Sequence, residues 1–296
     1  MLTRVRNIGR IVRAVTTRDP DLRVRRFYEL PDPESQFADR ATRYINIGYW
    51  ASEETTVDEA GDAIAALLAE AARFEPGQEV LDVGCGFGDQ DFLWLRDKQP
   101  ATIHALDVTP HQIAGAQARA EADGVADRVR FRVGTATELD FPDASFDRVV
   151  ALDAALHFNT REDFFREAFR VLRPGGVLGT VDTIPLDAAT PRKSFRSPRF
   201  SLYRVGVPDA NWYDRDGYEQ RLAATGFTGT NVLSIRDRTW EPWYRHWSTL
   251  AHDDAARANL APGVARVVEK EWADTDLIKR ELDRLDYVVA VAVKPS

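Results

Sequence analysis

Three glycines spaced two apart, Gly84, Gly86 and Gly88, follow the apolar run EVLDV (residues 79–83) and precede a segment able to start a helix. A strand that enters such a turn lets the backbone come close to a ligand where side chains would otherwise stand. Dinucleotide sites use similar turns, so the pattern alone is weak. Here it reads G-x-G-x-G, without the third glycine one position later that the dinucleotide fingerprint carries. Two carboxylates give it direction. Asp82 lies inside the strand just before the turn, placed to hold the loop or to meet an ammonium group. Asp107, 19 residues after Gly88, ends the next apolar run and can accept both hydroxyls of a ribose.

These groups need strand ends to stand on. Short apolar runs of the buried type occur at about 79–83, 102–107, 129–134, 146–152 and 177–182, alternating with helical patterns through short connections. That alternation predicts an α/β fold with a doubly wound, mostly parallel sheet. Thr56 with Glu59 forms a capping-box pattern, after which Ile64, Leu67, Leu68, Ala71 and Phe74 share one helical face. Thr109-Pro110 opens another helix, and Thr160 a third that runs through Phe164, Phe165, Ala168, Phe169 and Leu172 and stops at Pro174-Gly175-Gly176. After Asp182 the rhythm breaks. A helix at about 214–225 ending at Gly226, a strand near 230–236 and a last strand at about 285–293 complete a seven-stranded sheet. Residues 237–284 read as a helical lid inserted before that last strand, since insertions of this length tend to be functional.

The chain has 296 residues, 44% of them hydrophobic, enough to fill one large core. A single cysteine, Cys85, excludes internal disulfides and a cysteine-based zinc site and agrees with a reducing compartment. No apolar run reaches the roughly 18–20 residues of a membrane span, and the N-terminus lacks the apolar block of a secretion signal, so a cytoplasmic protein with no integral membrane segment is expected. A net charge of −8 argues against nucleic acid as partner. Residues 1–26 hold eight arginines against two aspartates, +6, which leaves −14 for the rest. Within that basic arm Leu2, Val5, Ile8, Val12 and Val15 recur at helical spacing, expected either as a helix docked on the acidic body or as a basic amphipathic helix for a membrane surface or a partner.

The stretches VLDVGCGFG, ALDVTP, GTATEL, FDRVVALDAALHF and RVLRPGG together resemble the motifs of the class I S-adenosylmethionine-dependent methyltransferases. The resemblance implies a Rossmann-like methyltransferase domain at 51–296 preceded by an arm and cofactor-covering segment at 1–50. It implies S-adenosyl-L-methionine as cofactor and S-adenosyl-L-homocysteine as product; no metal is expected, since the sequence shows no acidic cluster beyond the cofactor motif suited to Mg²⁺. By the same token Asp82, Gly84, Gly86 and Gly88 would line the methionine end, with Cys85 as a small apolar filler. Asp107 would hold the ribose, Thr135 and Ala136 would flank the adenine, and Val108, Leu152, Tyr49 and Trp50 would complete the cofactor-binding set.

Segments outside those motifs, among them RYINIGYW (43–50), GFGDQDFLWL (86–95), LHFNTREDFF (156–165) and WEPWYRHW (240–247), are similar to the natural-product O-methyltransferases that act on macrolide sugars. This implies a small-molecule acceptor, bulky and largely apolar, with or without sugars, methylated on a hydroxyl. Such transfer gains from a base that removes the proton. His157 follows the fourth strand at its carboxyl end and is the candidate; Asp182, at the end of the next strand, would orient the imidazole or bond the acceptor. Trp240, Trp243, Tyr244 and Trp247 recur at i, i+3, i+4 and i+7 and would close an apolar pocket over the acceptor, with 185–215 and 237–284 as the substrate-facing segments. Arg192, Lys193, Arg196, Arg199 and Arg204 form either a solvated rim or a site for an anionic acceptor. Carbon methylation of an enol, quinone, isoprenoid or lipid is the alternative reaction, and binding of the cofactor without transfer a further one. Whether the chain forms homo-oligomers is open at this level.

Overall fold

A parallel strand pairing needs a crossover of a dozen residues or more, and the helical patterns read above supply one after nearly every strand. In the computed structural model, which describes residues 17, 19–29 and 40–296, the strands are β1 (Glu79–Val83), β2 (Thr102–Asp107), β3 (Val129–Val133), β4 (Phe146–Leu152), β5 (Leu172–Pro185), β6 (Thr228–Ser234) and β7 (Leu285–Val293). They form one sheet in the order β3-β2-β1-β4-β5-β7-β6, with β7 antiparallel to both of its neighbours and the remaining pairs parallel. The strand order reverses between β1 and β4, so the crevice of a doubly wound sheet opens beyond the carboxyl ends of those two strands. The apolar positions Leu2 to Val15 of the basic arm lie outside the described residues.

Helix α1 (Pro20–Tyr28) is capped by Asp19, whose carboxylate accepts from Leu22 N at 3.0 Å. Helix α2 (Val57–Ala71) starts in the capping box expected of Thr56 and Glu59, with both reciprocal hydrogen bonds formed. Next come α3 (Asp89–Asp97), α4 (Pro110–Ala122), α5 (Arg161–Val171), α6 (Ser201–Gly206) and α7 (Arg215–Thr225). Alternate residues of β1 face opposite cores. Val80 packs with α2, α3 and α4, whereas Leu81 and Val83 pack with Phe164, Phe165 and Ala168 of α5 and Tyr218 and Leu222 of α7. The segment 237–284 is helical, as α8 (Trp240–His252), α9 (Asp254–Ala258), α10 (Pro262–Glu271) and α11 (Thr275–Leu282).

The boundaries around β5 differ from the sequence reading. Helix α5 stops at Val171, not at the Pro-Gly-Gly turn, and Leu172 is already extended (φ −67°, ψ 140°) and paired with Phe146. Pro174 biases the preceding residue away from helix, and the chain gains ladder bonds by entering the sheet early. At its other end β5 runs on to Pro185, because antiparallel β7 pairs with it residue by residue from Val177 with Val293 to Pro185 with Leu285.

Candidate active site

The cleft beyond β1 and β4 holds about 930 Å³ of space, its open mouth included. Its floor is the glycine turn. Gly84, Gly86 and Gly88 all take positive φ (84°, 57° and 78°), as a turn of this sharpness requires. A Cβ built on Gly86 would meet nothing within 4 Å, so this residue faces the open space, whereas one on Gly88 would lie 2.6 Å from the Phe131 ring. Four amides of the turn are already used. Gly84 N and Cys85 N donate to Leu106 O (2.7 and 3.1 Å), Gly86 N donates to Asp107 Oδ2 (3.2 Å) and Gly88 N to Cys85 O (3.0 Å). The turn therefore contributes shape, and its stiffness comes largely from β2.

Of the residues singled out from the sequence, Gly84, Cys85, Gly86, Asp107, Val108, Thr135, Ala136, Leu152 and His157 line the cleft. Asp107 accepts from Gly86 N and, at 2.8 Å, from Thr109 N, which fixes its carboxylate at the end of β2. Burial raises its pKa, with those hydrogen bonds opposing. Cys85 is buried and its thiol is pushed up chiefly by burial, with neighbouring carboxylates adding to it, so it is an inert filler.

Asp82 and Gly88 do not line the cleft. Asp82 is fully buried beneath the turn and holds Gln90, whose Nε2 donates both to Asp82 Oδ2 and to Cys85 O at 2.9 Å. Burial raises the Asp82 carboxyl to about 7, and that of Asp91 beside it well above the carboxylate range, so this pair retains a proton. Tyr49 and Trp50 also lie off the cleft. Tyr49 N is tied to Ala60 O at 2.8 Å, and Trp50 donates to Ile47 O at 3.0 Å while packing on His246. The covering residues come instead from slightly earlier in the same motif, Arg43 to Asn46, and from Asp21, Val24 and Tyr28 of α1.

Asp182 is not the partner of His157. Its carboxylate contacts Arg161 Nε at 2.8 Å, both side chains being fully buried, and accepts from Tyr218 Oη (3.3 Å) and Thr183 N (3.0 Å). It therefore ties α5 and α7 to the sheet. The imidazole is oriented by α6, with Nδ1 3.1 Å from Gly206 O. A carbonyl only accepts, so Nδ1 carries the proton and Nε2 keeps its lone pair. Burial, helped by the charge of Arg161 and opposed by the Gly206 bond, lowers the His157 pKa to about 4.

The aromatic stripe of α8 does not line the cleft either. Trp240 and Trp243 are buried, packing on each other and on Tyr287 of β7 and Trp272, and Trp247 stacks on Trp272 with Tyr244 beside it. The stripe is the core that fastens the lid to the sheet. The arginines of the basic segment are likewise engaged within the protein: Arg192 bonds Asp209, Arg196 bonds Lys193 O, Arg204 bonds Phe195 O, and Arg199 pairs with Glu271 of α10 over the Trp243 ring of α8.

Sequence reasoning passed over Asp89, Gln90, Asn46, Tyr28 and Asp153, all of which line the cleft. The motif GDQD directly after the turn was the signal for the first two. Asn46 Oδ1 is buried without a hydrogen-bond partner, an acceptor waiting for a donor. The wall is acidic, with Asp21, Asp89, Asp107 and Asp153, and Arg43 is its lone cationic residue among the described ones. Such a surface suits a ligand with cationic groups and a ribose and lacks the basic cluster a pyrophosphate needs. Among the described residues no group of three His, Cys, Asp or Glu is arranged to hold a metal, and no helix is long and apolar enough to cross a membrane.

Fold and site are those of a class I S-adenosylmethionine-dependent methyltransferase. The model of a methyltransferase domain matches residues 81–180. Erythromycin 3''-O-methyltransferase of Saccharopolyspora erythraea is 40% identical over 282 residues, 94% of this chain and 92% of that one. The 27-O-demethylrifamycin SV methyltransferase of Amycolatopsis mediterranei is 29% identical over 85% of this chain and 90% of its own. Among solved structures the [4+2]-cyclase SpnF superposes with a TM-score of 0.73 at 26% identity, covering 93% of this chain and 97% of that one. The chain belongs to the natural-product O-methyltransferases that use S-adenosylmethionine.

Proposed function

We propose that the protein methylates a hydroxyl of a bulky, largely apolar natural product, with or without sugars, and that His157 is the general base. When bound, S-adenosylmethionine supplies an electrophilic methyl group. The acceptor oxygen forms the new O–CH₃ bond as the C–S bond breaks, the electron pair stays on sulfur, and S-adenosylhomocysteine is left. The proton of the acceptor oxygen passes to His157 Nε2. An imidazole with a pKa near 4 is a weak base but a neutral one at pH 7, and an oxygen that is becoming an oxonium gives up its proton readily. The observation that carries the reading is the tautomer: the bond to Gly206 O leaves Nε2 unprotonated in a residue that lines the cleft.

Asp107 would bond the ribose hydroxyls, Asn46 and Asp89 the ammonium end, and Thr135 and Ala136 would flank the adenine. The acceptor would lie beyond the methyl group, against His157, Tyr28 and Asp153, with 185–215 and the lid at 237–284 behind that wall. The division of the chain into an arm at 1–50 and a catalytic domain at 51–296 belongs to the same proposal. The likeness to erythromycin 3''-O-methyltransferase makes glycosylated macrolides the first acceptors to try. Incubation of such a panel with S-adenosylmethionine, followed by mass spectrometry for methylated product and S-adenosylhomocysteine, tests the reading. A His157→Gln variant should lose about 10²-fold or more in kcat with an unchanged cofactor Kd. A variant as fast as wild type would remove His157 from the chemistry.

A further inference from the structure

Asp153 stands out once the cofactor residues are set aside. It is the first residue after β4, lines the cleft, and has φ +54°, a left-handed conformation that aspartate and asparagine tolerate better than most residues. Its own N–H is fixed by Val181 O at 2.8 Å, so the neighbouring strand β5 holds the residue in this conformation. An observed backbone outlier in a cleft is a reason to look for function there.

The surroundings of its carboxyl are unusual. Among the described residues it has no ion-pair partner within 4.0 Å. Three tyrosines gather round it: Tyr287 of β7, Tyr203 of α6 and Tyr28 of α1, each held above its ordinary pKa first by burial and then by the nearby Asp153 charge. Tyr287 Oη stands within hydrogen-bonding reach of the Asp153 carboxylate and also meets the Ile47 backbone. Tyr203 Oη bonds Thr183 Oγ1 at 3.2 Å, and Tyr28 lies edge-on to His157 with the ring centroids 5.8 Å apart. Asp182 lies behind, already engaged with Arg161, and Arg199 acts from farther off.

The sheet order separates this cluster from the cofactor. The glycine turn, Asp107 and Thr135 follow β1, β2 and β3, while Thr183 and Tyr287 belong to β5 and β7 on the other side of β4. Asp153 therefore looks toward the acceptor half. His157 closes the short turn Ala155–His157 that follows Asp153, so base and carboxylate both stand just beyond the end of β4 and both line the cleft. A carboxylate has about four acceptor sites, so the Tyr287 hydroxyl leaves most of those of Asp153 open to the cleft, and the group that fills one must bring a hydrogen-bond donor.

We infer that Asp153 orients the acceptor by taking a hydrogen bond from a second hydroxyl, on the carbon next to the one methylated, so that the preferred substrates are vicinal diols and not isolated alcohols. This rests on the hydroxyl-methylating reading above. The acceptor's neighbouring hydroxyl fixes the rotation of the ring, and with it the approach of the reacting oxygen to the methyl carbon; geometry of this kind acts on rate as well as on binding.

The test pairs a macrolide glycoside bearing vicinal sugar hydroxyls with the analogue in which the neighbouring hydroxyl is replaced by hydrogen. Wild type should prefer the diol by about tenfold to hundredfold in kcat/KM, the discrimination that one hydrogen bond to a charged group supports. Asp153→Gly deletes the side chain without a left-handed penalty and should abolish the preference, mainly by raising KM for the diol while KM for the deoxy analogue stays as it was. Asp153→Asn keeps an acceptor oxygen and should retain part of it. Equal loss on both acceptors, or a preference that persists in Asp153→Gly, overturns the inference while leaving O-methylation intact. Absence of turnover of any hydroxyl acceptor by wild type overturns the functional reading and this inference with it.

Discussion

His157 should make the folded protein sensitive to mild acid in a way that one substitution removes. The imidazole is buried and its folded pKa is near 4, against about 6.5 in an unfolded chain. Between those values the unfolded state holds a proton that the native state does not, so stability rises with pH and is lost as pH falls. From pH 7.5 to pH 5.0 the linkage integral for this one residue comes to about 2 kcal/mol. Urea unfolding midpoints of wild type and His157→Gln, measured at steps across that range, give the difference directly. Groups common to both proteins cancel. Asp82 is one of these and works in the opposite sense: its carboxyl, raised by burial to about 7, contributes stability at low pH that is lost as pH rises through 7. The wild type should therefore fall by about 2 kcal/mol relative to the variant on acidification. Parallel pH profiles for the two proteins, or an imidazole that titrates near 6.5 by NMR, would refute the burial argument and with it the neutral base.

Two further outcomes follow from packing. Gly88→Ala places a Cβ 2.6 Å from Phe131 in a left-handed backbone, so it should cost about 2–4 kcal/mol in chemical denaturation and loosen the start of α3; a loss below about 0.5 kcal/mol would show that the turn relaxes freely. Arg161→Met alone strands the Asp182 charge in the core and should cost about 3–5 kcal/mol, whereas Arg161→Met with Asp182→Leu should recover much of that, and additive losses in the two single variants and the double would rule out coupling of the pair.

The sheet was legible because short apolar runs bounded by Gly, Pro and Thr-capped helices are a local signal, and β1, β2, β4 and β7 fall where that signal puts them. The glycine-turn side of the cleft was legible for the same reason: Gly84, Asp107 and Thr135 stand at or just after strand ends, and a strand end fixes direction, whereas Asp82, Tyr49 and Trp50 lie off the cleft. The acceptor half was less so. Asp182 sits at a strand end like Asp107, yet the sequence does not show that Arg161, 21 residues earlier, folds back to take its charge. The tryptophans of α8 share a face as their spacing predicts, but spacing is blind to what the face meets, and Trp272 and Tyr287 fill it. Asp153 was overlooked for want of any residue-type signal; a positive φ is a property of the folded backbone alone.

The saturation of the glycine turn by β2 bears on how a catalytic cycle ends. Gly84, Cys85, Gly86 and Gly88 spend their amides on Leu106, Asp107 and Cys85, so on the proposed reading these donors would favour neither the cofactor nor the spent product. What changes on transfer is the sulfur, which loses its positive charge. Any preference for the fresh molecule over the used one must then come from the carboxylates of the wall, and added salt should narrow the gap between their dissociation rates.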